Sequence, residues 1–79
     1  MRTVNIRLNS IKDVQDFVEL VRQFEGDIDL SSGRYVVDAK SIMGIFSLDL
    51  MKPITLTAYS SKEENCDALI ETLKAYIVA

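Results

Sequence analysis

Val4, Ile6 and Leu8 alternate with Asn5, Arg7 and Asn9. Two residues later the apolar period lengthens, through Ile11, Val14, Phe17, Val18, Val21 and Phe24. That switch constrains the fold more than any other feature of the chain. A period of two puts one face of a strand against a core, and a period near 3.6 puts one stripe of a helix there. Neither segment is apolar all round, so each must bury its apolar side against another element. Ser10 stands where the period changes. It reads as the helix N-cap, with Asp13 at the third helical position, and Gly26 is expected to end the helix in a left-handed conformation.

The same two periods recur downstream. Ile28 and Leu30 flank Asp29 in a short second strand, Ser31-Ser32-Gly33 reads as a turn, and residues 34–39 read as a third strand that closes a hairpin. Pro53 cannot continue a helix. After it Ile54, Leu56 and Ala58 alternate with Thr55, Thr57 and Tyr59 as a fourth strand. Ser61 and Glu64 have the spacing of a capping box. Cys66, Leu69, Ile70, Leu73, Tyr76 and Ile77 then share one face of a last helix. With a short helix at residue 41 the order is β-α-β-β-α-β-α. The expectation is an α+β, two-layer, open-faced sandwich of helices on one face of a mostly antiparallel sheet. The pattern alone leaves the strand order open, a ferredoxin-like order included. A chain of 79 residues is read as one domain, 1–79.

The stretch KSIMGIFSLDL, residues 40–50, is the least ordinary part of the chain. Ser41 is placed to cap a short helix. Ile42, Met43, Ile45, Phe46 and Leu48 are too many apolar residues for one stripe of so short a helix, so some are expected to face water or a partner. Ile42, Met43 and Phe46 are the residues assigned to such a docking patch. A hydroxyl at a helix start also tolerates added phosphate, because the local N–H groups and dipole favour negative charge. Lys40 is placed to pair with that phosphate.

These residues resemble the regulatory-serine segment of the HPr-like family, the small phosphocarriers of the bacterial phosphotransferase system. The likeness is specific over residues 40–48, and the order of elements agrees along most of the chain. It implies an HPr-like sandwich with a four-stranded antiparallel sheet of order 1-4-2-3. It also implies that Ser41 is the serine a dedicated kinase phosphorylates. In that family a histidine at the start of the first helix carries phosphate, with an arginine two residues later and a proline after that. This sequence contains no histidine. Aligning Phe17, Val18 and Phe24 with the family's first helix puts Ser10 at the histidine position, Lys12 at the arginine and Asp13 at the proline. Imidazole is nucleophilic near neutral pH and its phosphoramidate transfers readily, whereas a serine phosphate ester is far more stable.

The bulk chemistry narrows the alternatives. A formal net charge of −3, with no basic run, argues against a nucleic-acid partner. The single cysteine, Cys66, permits no internal disulfide and has no cation or metal-ligand spacing beside it, so it is expected to be buried. No signal-peptide core and no membrane-length apolar run is present, and the protein is read as cytoplasmic with no membrane association. Glu63, Glu64, Asp67 and Glu71 read as a solvated helix face, and Asp27 and Asp29 share one side of a strand without an acid–base setting. No catalytic constellation, metal site or cofactor motif is read from the residues. The expected function is therefore an HPr-like regulatory or protein-binding role through the Ser41 segment. Its expected partners are proteins, such as an HPr-type kinase or a transcriptional regulator, with the chain a monomer or weak homodimer. The competing readings are a phosphocarrier using a residue other than histidine, and a small structural or interaction domain.

Overall fold

The computed structural model describes residues 1–78. Alternation makes β1 (Arg2–Ile6), and Ser10 then opens α1 (Ile11–Val21). The chain continues through β2 (Asp27–Ser32), β3 (Tyr35–Asp38), α2 (Ile42–Phe46), β4 (Ile54–Tyr59) and α3 (Glu63–Thr72). A single 3-10 turn (Lys74–Tyr76) leads into β5 (Ile77–Val78). The strands form one antiparallel sheet in the order β3-β2-β4-β1-β5. This is an α+β sandwich, and its first four strands have the expected order 1-4-2-3.

β4 lies at the centre of the sheet, and its register sets the core. Ile54 pairs with Ile6, Leu56 with both Val4 and Leu30, and Ala58 with Ile28. Because side chains alternate, these residues share the face that the helices cover. Val14, Phe17, Val18 and Val21 of α1 bury against them, with Leu69 and Cys66 of α3 alongside. Phe17 is fully buried and meets the Tyr76 ring edge-on, with centroids 5.9 Å apart at 87°. A buried aromatic side chain of this kind contributes about 1.5–3 kcal/mol by leaving water.

Several local expectations are overturned. The sheet has five strands rather than four. α3 stops at Thr72, so Tyr76 and Ile77 leave the helical face, and Ile77–Val78 pairs instead with Ile6 and Asn5 at the free edge of β1. The helical period continues past Leu73, but Ile77 and Val78 leave it to pair with the otherwise open edge of β1. The Ser61 capping box does not form: Lys62 is the N-cap without a side-chain bond, and Ser60 Oγ accepts from Lys62 N at 3.2 Å. Glu63 and Asp67 are exposed but not merely solvated, since both pair with Arg2 across the layers. α1 ends at Arg22 in right-handed geometry, not at Gly26. Gly26 instead has φ 154°, and a Cβ there would lie 2.4 Å from the Tyr59 carbonyl oxygen, so the site accepts only glycine. Ser31 and Ser32 belong to β2, and the hairpin turn is Gly33-Arg34. Ile11, assigned to the buried stripe, is 67% exposed.

Candidate functional site

α2 is short, and its position is fixed from both ends. Ser41 N donates to Asp38 O at 3.0 Å, turning the chain out of β3. Ser41 Oγ accepts from Gly44 N at 3.2 Å, and Ile45 N donates to Ser41 O at 3.0 Å, the first bond of the helix. At the other end Ser47 Oγ donates to Gly44 O at 2.6 Å. Gly44 permits this closure: a Cβ there would meet Val37 Cβ at 3.2 Å and Ser41 Oγ at 3.3 Å. A side chain would thus push α2 off β3 and crowd the hydroxyl.

The helix divides its apolar residues as its length demands. Ile45 is fully buried and Leu48 nearly so. Ile42 is half-buried and packs on the core cluster. Met43 is 78% exposed and Phe46 41% exposed, and Ser41 is exposed beside them. Met43 and Phe46 thus face outward, whereas Ile42, assigned to the same patch from sequence, is half-buried against the core. Ser41 combines an exposed hydroxyl with Ile42 and Met43 at the start of a helix, where backbone N–H groups lack intrahelical acceptors.

Lys40, expected to pair with a phosphate on Ser41, is engaged elsewhere in the unmodified chain. Its Nζ donates to Phe24 O at 2.9 Å and to Gly26 O at 3.1 Å. The ammonium closes the turn after α1, so it is committed away from the Ser41 hydroxyl. The carboxylate of Asp38 is also engaged locally, accepting from Lys40 N at 2.8 Å.

Ser10 is an exposed N-cap, accepting from Asp13 N at 3.1 Å, while Asp13 Oδ2 accepts in return from Asn9 N at 3.0 Å. The two bonds occupy the polar groups of this turn structurally. Lys12 is exposed and pairs with Asp16 one turn on, Nζ to Oδ2 at 3.2 Å. Sequence reasoning missed two residues near this end of α1. Ile11 begins the helix and is exposed, and Met51 is 79% exposed in the loop after α2. Arg7 Nη2 donates to Met51 O at 3.1 Å, which ties that loop to the segment leading into α1. α1 and α2 are themselves in contact. Helical phase puts Ile11 on the buried stripe, so its exposure is not signalled by the spacing. No sequence signal marks Met51. Cys66 is buried, with Sγ 3.7 Å from Ala58 O.

No group of three or more acidic, histidine or cysteine side chains able to hold a metal occurs among the described residues. None of their helices is long and apolar enough to cross a membrane.

The family model PTS-HPr, described as the PTS HPr component phosphorylation site, matches residues 12–78. Ser41 and the whole of α2 fall inside the match, and Ser10 falls just outside it. Among solved structures, HPr-C-His from Thermoanaerobacter tengcongensis is similar at 28% identity and a TM-score of 0.75, covering 95% of this chain and 93% of that one. A phosphocarrier protein HPr from Bacillus anthracis str. Ames is similar at 29% identity and a TM-score of 0.71, covering 98% and 94%.

Proposed function

Because the chain belongs to the PTS-HPr family, and because its sequence holds no histidine, we propose that it acts as a regulatory, protein-binding member of that family through Ser41 and α2. The observation that carries this reading is the pairing of an exposed, helix-capping serine with the exposed Met43 and Phe46. Ile42 supports the patch from below, and Ile11 and Met51 are further exposed apolar residues of the chain. In this reading Ser10 and Lys12 mark the position of the family's relay histidine and arginine, converted to a cap and a surface ion pair.

The chemistry separates the two roles. Relay needs a nucleophile whose phosphorylated form is reactive, and Ser10 has no imidazole to activate it. Regulation needs only a stable ester that changes a surface. Phosphate on Ser41 adds about 1.5 to 2 negative charges beside Met43 and Phe46. With Lys40 held at the α1 turn, that charge stays available to a partner's arginine or lysine, and it repels an acidic surface. The expected partners are a kinase of the HPr type and a protein that reads the serine's state in the cytoplasm. The test of the relay half is incubation with phosphoenolpyruvate and enzyme I, beside a histidine-bearing HPr. The expected result is no acid-labile phosphate on this chain. Stoichiometric acid-labile phosphate would restore the phosphocarrier reading.

A further inference from the structure

We infer that β3 is a self-complementary edge through which two copies of this chain pair, antiparallel about Val36, into one continuous sheet. β3 is bonded on one side only, to β2. Tyr35 and Val36 on it are 70% and 64% exposed, large apolar residues on a strand that lacks the lysine, proline or bulge by which edges are commonly protected.

The ladder with β2 fixes which backbone groups are free. Ala39 N donates to Ile28 O at 2.9 Å. In an antiparallel pair bonded and non-bonded positions alternate, so Val37 and Tyr35 also face β2. The N–H and C=O of Val36, and the N–H of Asp38, therefore point away from the sheet. The Asp38 carbonyl is already taken by Ser41 N.

A two-fold axis at Val36 uses those groups and matches the side chains. Val36 meets Val36 of the second copy as a mutually bonded pair. Tyr35 lies opposite the second copy's Val37, on the helix-covered face. Arg34, the turn residue just before β3, comes near the second copy's Asp38 at the end of the ladder, and the reverse. Neither Arg34 nor Asp38 forms an ion pair within the chain among the described residues. The register thus sets opposite charges at both ends and apolar side chains between them, and cross-strand pairs of both kinds are favourable. The operation also closes, because each β3 gains the one partner it lacks. The opposite edge, β5, has only two described residues and no such pattern.

The test is sedimentation equilibrium of the whole chain from about 10 µM to about 1 mM, the range suited to a small interface. The wild type is expected to rise with concentration from 8.9 kDa toward twice that mass. Val36→Pro removes an N–H that faces away from β2, so the hairpin ladder is kept and association is expected to weaken at least tenfold. Arg34→Glu sets like charges near each other and is expected to weaken it as well. A chain that stays monomeric throughout, or a dimer indifferent to Val36→Pro, overturns the inference. Should Val36→Pro fail to fold, amide exchange of the wild type decides. Protection of the Val36 and Asp38 amides that grows with concentration supports the pairing, and concentration-independent exchange overturns it.

Discussion

Met43 and Ile45 stand two residues apart in α2, yet one is 78% exposed and the other fully buried. Replacing each separates a docking surface from a core. Ile45→Ala removes buried methyl groups and leaves a cavity, at a cost of about 2–5 kcal/mol. A domain of this size has a total stability of roughly 4–12 kcal/mol, at 0.05–0.15 kcal/mol per residue. The variant should therefore lose about 10–30 °C in Tm, and at the upper end it should not hold its fold. Met43→Glu places a charge where water already is. Its cost should stay within about 0.5 kcal/mol, or about 4 °C. The same change puts a carboxylate in the centre of the proposed patch, and the affinity of a partner complex should fall about fivefold or more, as for an interface position worth over 1 kcal/mol. Thermal melts followed by circular dichroism, with urea midpoints as a check, measure the first effect, and titration with an HPr-type kinase, the proposed partner, measures the second. A Met43→Glu melting loss as large as that of Ile45→Ala, without a specific loss of binding, would refute the assignment of Met43 to a surface.

Three further outcomes follow from named contacts. Ser10→Ala removes the α1 cap and should cost about 0.5–2 kcal/mol, read as a lowered urea midpoint at constant m-value. Lys40→Met leaves the Phe24 and Gly26 carbonyls without their ammonium and should cost about 1–3 kcal/mol, with faster amide exchange in the turn after α1. Burial against Phe17 holds the Tyr76 phenol above its ordinary value of 10.0, so its neutral form is favoured in the fold. That contribution is fully present below pH 10.0 and is lost as pH rises through the folded-state value. Alkaline melts of Tyr76→Phe should accordingly show a shallower loss of stability than the wild type.

The parts of the fold that were legible in the sequence are those set by local period and local chemistry. β1, β4 and most of α1 follow from alternation and helical spacing, and the Ser10 and Ser41 caps from a hydroxyl ahead of an apolar run. The division of α2 into buried Ile45 and exposed Met43 was foreseeable in kind, since five apolar residues exceed one stripe. What was not legible depends on neighbours far along the chain. Ile77 has a place in the helical phase of α3, but its partner is Ile6, and only the free edge of β1 decides between the two. Lys40 reads as a companion to Ser41 because they are adjacent, whereas its ammonium is drawn to carbonyls 14 and 16 residues earlier. Ser61 has capping-box spacing, but the chain leaving β4 turns at Ser60 and starts the helix one residue later. Ile11 fits the helical stripe by phase, yet as the first residue of α1 it is exposed, a matter of position that spacing alone does not carry.

Modification of Ser41 is the step on which the proposed regulation depends. The direct measurement is peptide mapping by mass spectrometry after incubation with an HPr-type kinase and ATP, beside a Ser41→Ala variant and a histidine-bearing HPr as the positive control. One acid-stable phosphate on Ser41, and none on Ser41→Ala, is the expected result. An unmodified Ser41, under conditions that fully modify the control, would contradict it and leave the hydroxyl as a helix cap alone.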